Sequence, residues 1–228
     1  MSKVVLFGTG KIAEEVYYYL THDSPHQVVA FTVDSDYVTA KSKLGLPVEA
    51  FEDVARIYPP DQFQMFVAVG YQDLNALRAR KYEEAKAKGY ELISYVSSRA
   101  SAIGIAPAGD NCLVLDFTVI QPSAKVGNNV FLWCCNHVGH HASVGDHCYI
   151  SGKVIISGST KIEPYCFIGV GSTIGHEISI GRESFIGAGS LITKNTGPNS
   201  VHITPDTPKF RLDSTEFLRL TKMMRPEG

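Results

Sequence analysis

From Val114 onward an aliphatic residue recurs at every sixth position: Val114, Ile120, Val126, Leu132, Val138, Val144, Ile150 and so on to Ile192, without a miss. A helix repeats every 3.6 residues and an open strand every two, so neither accounts for a strict period of six. Short strands joined by tight corners and stacked coil upon coil do. The fourth residue after each aliphatic is nearly always small, as in Thr118, Ala124, Cys148, Cys166, Ser172 and Ser184. Two inward positions per hexad are what a narrow, fully packed coil requires.

The residues before this register have a different rhythm. Val4–Phe7, Val28–Val33 and Met65–Val69 are short apolar runs, separated by helical patterns over Ile12–Leu20, Phe51–Tyr58 and Asp73–Lys88. Asp73 opens the third helix, Leu74, Leu77, Tyr82 and Ala85 line one side, Gly89 stops it, and a strand over Glu91–Val96 closes the half. Alternation of this kind makes βαβ units and a parallel sheet. Gly8-Thr9-Gly10-Lys11-Ile12-Ala13 follows the first strand and opens a helix, Asp34 ends the second strand, and Gly70-Tyr71 follows the third, facing the same crevice. A helix N-terminus binds phosphate whatever the rest of the ligand, so the loop alone does not separate a nicotinamide cofactor from a sugar nucleotide. About three βα units, half of a full dinucleotide domain, precede the repeat.

The 228 residues carry 21 basic and 23 acidic side chains, a net charge of -2, which leaves no electrostatic footprint for nucleic acid or an anionic membrane. The apolar runs fall far short of the roughly 18 residues of a membrane span and no targeting segment opens the chain, so it reads as cytoplasmic. Five cysteines, Cys112, Cys134, Cys135, Cys148 and Cys166, form neither a disulfide framework nor a zinc ribbon by number and spacing, and read as reduced thiols. Cys148 and Cys166 stand one coil apart with side chains pointing the same way, which disfavours a bond between them.

Val144-Gly-Asp-His-Cys, Ile168-Gly-Val-Gly-Ser, Ile180-Gly-Arg-Glu-Ser and Ile186-Gly-Ala-Gly-Ser resemble the repeat of the hexapeptide-repeat acyltransferases. The resemblance implies a left-handed parallel β-helix with 18 residues per coil. With GTGKIA from Gly8, FTVDSD from Phe31 and VAVG from Val67, the whole chain is similar to the bacterial sugar acyltransferase branch, which includes sialic acid O-acetyltransferase-like proteins and UDP-4-amino-sugar N-acetyltransferases. The expected architecture is an α/β Rossmann-like nucleotide-sugar-binding domain over 1–96, a left-handed β-helix acyltransferase domain over 97–205, and a C-terminal tail over 206–228. A helix is expected in the tail from Asp213 to Met224, capped by Asp213 or Ser214, with Phe217, Leu218, Leu220 and Met224 over the end of the coil. The resemblance further implies a homotrimer with active sites between adjacent subunits, acetyl-CoA as acyl donor and a nucleotide sugar as substrate.

Stacked strands lie roughly 4.7 to 4.9 Å apart, so residues 18 apart stand above one another. One outer corner column then reads Pro122, His140, Gly158, His176, Lys194, and its neighbour Ser123, His141, Ser159, Glu177, Asn195. Acyl transfer needs a base, a donor for the oxyanion and a track for the coenzyme. His140 falls in the stretch that matches the family's catalytic-histidine motif, and an ordinary imidazole titrates near 6.5, low enough to be basic at cytoplasmic pH. Gly158 has no side chain to keep a thioester from its N–H, the donor the resemblance implies. His176, Gly187 and Lys194 lie further along the coil for the coenzyme, with Lys194 either near its phosphates or a solvated corner. Tyr149 matches a position where relatives carry a coenzyme-contacting histidine. His141 replaces the acidic residue that relatives place beside the base, so it is itself a relay, or Asp146, Glu163 or a neighbouring subunit supplies the carboxylate. Trp133 stands where amino-sugar enzymes have a small polar residue.

The same scaffold hosts zinc in γ-type carbonic anhydrases. Here His140 and His176 have the spacing of two ligands, but Gly181 stands where the third belongs, so no metal is expected. The function these readings imply is acetyl-CoA-dependent acetylation of the amine of a nucleotide-linked amino sugar in surface-glycan biosynthesis. His140, His141 and Gly158 are its catalytic residues, and Gly8, Gly10, Lys11, Asp34, Gly70 and Tyr71 its nucleotide-sugar site. O-acetylation of a sialic acid-like or other sugar hydroxyl, and a non-catalytic nucleotide-sugar-binding scaffold, are the alternatives.

Overall fold

The computed structural model describes residues 2–102 and 109–221. The chain opens with β1 (Lys3–Phe7), α1 (Lys11–His22), β2 (Gln27–Val33), β3 (Ser42–Lys43), β4 (Leu46–Ala50), α2 (Val54–Ile57), β5 (Gln64–Val67) and α3 (Ala76–Ala87). The parallel strands run in the order β4-β2-β1-β5, with β3 antiparallel at the edge. Val4, Val5, Leu6, Phe66 and Val67 are fully buried, as strands covered on both faces must be. α1 turns Ala13, Val16, Tyr19 and Leu20 onto the sheet. The edge pair β3–β4 is an addition to the sequence reading, which the Pro47-containing run did not signal.

The coil consists of two-residue strands at six-residue intervals, from Leu113–Val114 to Leu191–Ile192. They form three parallel sheets, one per face, with partners 18 residues apart: Phe131 pairs with Tyr149, His137 with Ile155, Ser143 with Lys161. This arrangement fits a left-handed parallel β-helix. Every corner passes through one residue of left-handed backbone, at φ 55° to 65° for Asn129, Cys135, His141, His147, Ser159 and Glu177. Such a residue is normally disfavoured by about 1 to 2 kcal/mol. Here its N–H donates to a corner carbonyl of the coil before, as from His147 to Asn128 and from Ser159 to His140, both at 2.8 Å.

The small inward residues do more than fill space. Cys112, Cys148 and Cys166 each direct Sγ at a carbonyl oxygen 15 residues on, at 3.1 to 3.2 Å, and Thr118, Thr160 and Ser172 direct their hydroxyls likewise. All five cysteines are free.

β6 (Tyr95–Val96) pairs with Leu113–Val114 and so begins the first face of the coil. That face is where the N-terminal sheet sits. Its outward Leu113, Phe131, Tyr149 and Phe167 share one apolar cluster with Val16, Leu20, Phe31 and Phe66. Polar ties reinforce the seam: Tyr95 Oη and the Ser98 N–H both donate to Asp23, at 2.6 and 2.8 Å. The bonds from Ser98 and Tyr95 hold the Asp23 carboxyl down at about 2. An unfolded aspartate titrates near 3.9, so this tie contributes fully above about pH 4 and is lost as pH falls toward 2. The expected outcome is that Asp23→Asn lowers the denaturation midpoint at neutral pH, and that the gap to the parent narrows between about pH 4 and 2.

In the tail, α4 (Ser214–Leu220) forms with Asp213 as its cap. The Asp213 carboxylate accepts from the Glu216 N–H at 2.8 Å and Glu216 accepts in return at 3.3 Å. The expected packing over the coil is not observed: Phe217, Leu218 and Leu220 are exposed and no residue of α4 is buried. Met224 lies outside the described residues.

Candidate active site

Two sets of residues come together, at separate places. The first is the corner that follows the second face of the coil, where strands His137–Val138, Ile155–Ile156 and Thr173–Ile174 each turn outward. The His140 ring lies directly over Gly158. A Cβ on Gly158 would sit 2.7 Å from His140 Cε1 and Nε2, so only glycine leaves room for the imidazole there. Ser157, Ser159, Gly139 and Glu177 all donate backbone N–H groups to the coil, but among the described residues none accepts from the Gly158 N–H. A donor left open under an imidazole is a place for a ligand oxygen.

His140 is fixed from two sides. Its N–H donates to Gln121 Oε1 at 2.8 Å, and its Nδ1 lies 3.2 Å from His141 Nδ1. Gln121 was not singled out from the sequence, although it stands one coil before Gly139 in the same register. The His176 ring centroid is 6.2 Å from that of His140, and His176 Nε2 lies 3.3 Å from Glu177 Oε1. Lys194 follows Ile192 as His176 follows Ile174, and the two strands pair in register, so it continues the column as an exposed residue.

Asp146 and Glu163 do not orient His140, because they sit at the corner between the third and first faces. There Asp146 Oδ1 accepts from the Asn128 N–H at 2.7 Å and Glu163 pairs with Lys161 at 2.5 Å. Within one chain, His141 is the group on Nδ1. Gly187 lies just past Ile186 on the first face, at a different corner from His140. Tyr149 is also apart: it is buried in the seam, against Tyr71 at 5.0 Å, Phe167 at 5.7 Å and Trp133 at 6.0 Å. Tyr71 joins this aromatic wall and does not line the crevice that holds Gly8 and Asp34.

The second set lines a cleft of about 450 Å³ at the C-terminal ends of β1, β2 and β5, which contains Gly8, Gly10, Lys11, Asp34 and Gly70. Gly8 has φ +119° and passes so close to β5 that a Cβ would meet the Ala68 carbonyl oxygen at 2.8 Å. α3 adds Leu77, Arg80 and Lys81 to the wall. Lys81, nearly buried, holds Asp34 Oδ1 and Glu84 Oε2 at 2.6 Å each. These α3 residues were not among the sequence candidates. The helix was expected to begin at Asp73 and bury an apolar side, whereas Asp73, Leu74 and Asn75 are all left-handed and the helix starts at Ala76. Asn75 is spent on the coil, donating to the Tyr165 and Cys166 carbonyls at 3.2 and 3.3 Å.

Residues 159–194 match the family described as bacterial transferase hexapeptide (six repeats). A search of the curated proteins finds no match. Among solved structures, the chain is similar to PerB from Caulobacter crescentus, in complex with CoA and GDP-perosamine, at 21% identity and TM-score 0.76, over 90% of this chain and 95% of that one. It is similar to the acetyltransferase domain of PglB from Neisseria gonorrhoeae at 24% identity and TM-score 0.76, over 92% and 100%. For WeeI from Acinetobacter baumannii the identity is 20% and the TM-score 0.75, over 88% and 96%. The hexapeptide match and these full-length likenesses agree on one fold, an N-terminal α/β sheet leading into a hexapeptide β-helix.

Proposed function

We propose that the protein transfers an acetyl group from acetyl-CoA to the amine of a nucleotide-linked amino sugar, for surface-glycan biosynthesis. The observation that carries this reading is the open Gly158 N–H beneath the His140 ring. PerB is described with CoA and GDP-perosamine, and the PglB domain with acetyl coenzyme A, which supports the same substrate pair here.

In this reading the residues before β6 are a Rossmann-like nucleotide-sugar domain, β6 to residue 205 the acyltransferase coil and 206–228 a tail. The boundary expected after residue 96 moves ahead of Tyr95, because Tyr95–Val96 pair in the first sheet of the coil and not in the N-terminal sheet. The order β4-β2-β1-β5 is that of a 3-2-1-4 half, and the cleft opens at the C-terminal strand ends where such sheets take nucleotides. Gly8, Gly10 and Lys11 at the start of α1 suit a diphosphate, and Asp34 suits a ribose hydroxyl.

Bound acetyl-CoA supplies the thioester carbonyl, and the coil supplies the rest. With the proton of the Nδ1 pair on His140, Nε2 presents its lone pair beside Gly158. Nε2 takes a proton from the acceptor amine as its nitrogen bonds to the thioester carbon, while the Gly158 N–H donates to the carbonyl oxygen as it gains charge. The C–S bond then breaks, and the proton held on Nε2 passes to the departing sulfur, so that the coenzyme leaves as its thiol. His176 and Lys194 extend the column along the coil axis toward the coenzyme's phosphates.

The cleft belongs to the domain that covers the first face, and the His140 corner lies between the other two faces, on the opposite side of the prism. One chain therefore does not bring its own cleft to its own base. A homotrimer in which each cleft meets the corner of an adjacent copy resolves this, closing around a cyclic axis. No helix among the described residues is long and apolar enough to cross a membrane. Cytoplasmic operation belongs to the same reading, since the five thiols are free.

Coenzyme thiol release, measured with UDP- and GDP-linked 4-amino sugars and with the matching 4-hydroxy sugars, tests the proposal. Release with amines alone is expected. Release with hydroxyls alone would make it an O-acetyltransferase, and binding of both ligands without release a scaffold.

A further inference from the structure

Arg78, on α3, is fully buried, and all six of its hydrogen bonds go to uncharged oxygens. One terminal nitrogen donates to the Gly70 carbonyl at 2.8 Å and to Asn75 Oδ1 at 3.1 Å. Nε donates to Asn129 Oδ1 at 3.2 Å. The other terminal nitrogen donates to the carbonyls of Asn129, His147 and Cys148 at 3.3, 3.1 and 3.1 Å. The guanidinium lies 4.5 Å from the Phe131 ring centroid. Among the described residues no carboxylate pairs with it. Burial pulls its pKa down to about 10, which still leaves it charged at neutral pH.

A buried charge with no counter-ion is a costly way to fill space, since packed apolar residues serve stability as well or better. What the guanidinium does that no apolar side chain could is join two places. Gly70 is in the wall of the cleft, and α3 puts Leu77, Arg80 and Lys81 into the same wall. On the other side, three of the acceptors are the carbonyls of Asn129, His147 and Cys148 on successive coils, and Nε reaches the Asn129 side chain. The network continues through Asn129 Oδ1, which also accepts from Asn111 Nδ2 at 2.8 Å. Asn111 in turn pairs with Val67, accepting from its N–H at 2.7 Å and donating to its carbonyl at 3.2 Å. Both ends of the segment 67–70, which leads from β5 into the cleft, are thus tied to the coil.

We propose that Arg78 is a positioning residue for the cleft, holding the Gly70 carbonyl and α3 against the coil so that the ligand-facing wall is set before the ligand arrives. This rests on the reading of the cleft as a nucleotide site. A planar fork with five donors is needed to reach acceptors on three sides, and lysine, with the same charge, cannot replace it.

The test uses full-length Arg78→Lys, with UDP and GDP as cleft probes and coenzyme A as internal control, by titration calorimetry. The variant is expected to bind the nucleotide about tenfold or more weakly, a loss of about 1.4 kcal/mol, with coenzyme A affinity changed less than about twofold. Amide hydrogen exchange without ligand is expected to speed up over 67–77 and to stay unchanged in the coil over 113–150. If Arg78→Lys does not fold, Asn129→Gly, which the left-handed backbone at φ 55° accepts, removes the Nε partner from the coil side and is read by nucleotide affinity against coenzyme A affinity and by exchange over 67–77. Equal weakening of nucleotide and coenzyme, or a lower melting temperature with unchanged nucleotide affinity, would overturn the proposal. If the parent protein binds neither UDP nor GDP, the nucleotide reading fails and exchange decides alone: faster exchange confined to 67–77 supports a set loop, and uniform or absent change refutes it.

Discussion

His140→Ala is expected to lower kcat by roughly 10² to 10⁴, the span for losing a general base, with little change in KM for the coenzyme. In the proposed arrangement the coenzyme lies along other coils, so the loss falls on proton transfer and not on binding. His141→Ala should cost less, because it frees Nδ1 of the base without removing the base, and the His140 N–H stays on Gln121. His141→Glu places an anion beside Nδ1 of the base. It should keep activity and move the acidic limb of the pH–rate profile to higher pH, since a nearby anion favours the imidazolium. Steady-state kinetics on the three variants check this. An active His140→Ala beside a dead His141→Ala would mean that the base is the other histidine.

Gly158→Val should lose turnover as severely as His140→Ala while keeping its fold. The added Cβ alone would lie 2.7 Å from two atoms of the His140 ring, so the ring must leave its place over the amide, and the two branches then cover the open N–H. The backbone at Gly158 is not left-handed, so valine adds no conformational strain, and the inward Ile156 is untouched. Thermal unfolding close to that of the parent together with a kcat reduced by about 10² or more is the expected pair of results. Full turnover in a folded variant would remove both the amide and the ring position from the account.

The coil was legible in the sequence because its constraint repeats. Each aliphatic at a six-residue interval answers to the same inward position, and 18-residue arithmetic then places His140, Gly158 and His176 in one column, where they are found. The same arithmetic already separated Tyr149 from that column: Phe131, Tyr149, Phe167 and Phe185 stand 18 apart and stack along the first face. Gly187 likewise stands at the corner that follows the first face, so within one chain neither residue joins the His140 column. The α3 region was least legible. Arg78, Lys81 and Asn75 are buried, although Arg and Lys in a helix ordinarily mark its solvent side. Their burial comes from partners 47 to 91 residues away, such as Asp34, Asn129 and Cys166, and no local pattern carries it. Asp73 offered a regular helix start, but the contacts of Asn75 with the coil make Asn75 the cap and Ala76 the first helical residue.

Whether one site is built from two copies is decided most directly by complementation. Gly10→Phe projects a ring into the cleft from a position with no atom within 4 Å, so it blocks the cleft without disturbing the sheet. His140→Ala disables the corner. Each variant alone should be inactive. Co-expressed at equal levels under two tags and purified as trimers that hold both variants, they should regain about a third of parental coenzyme release. Going round such a ring, one of the three junctions joins an intact cleft to an intact corner. Mixed assemblies as inactive as either parent variant would contradict the account, and would place the cleft and its base within a single chain.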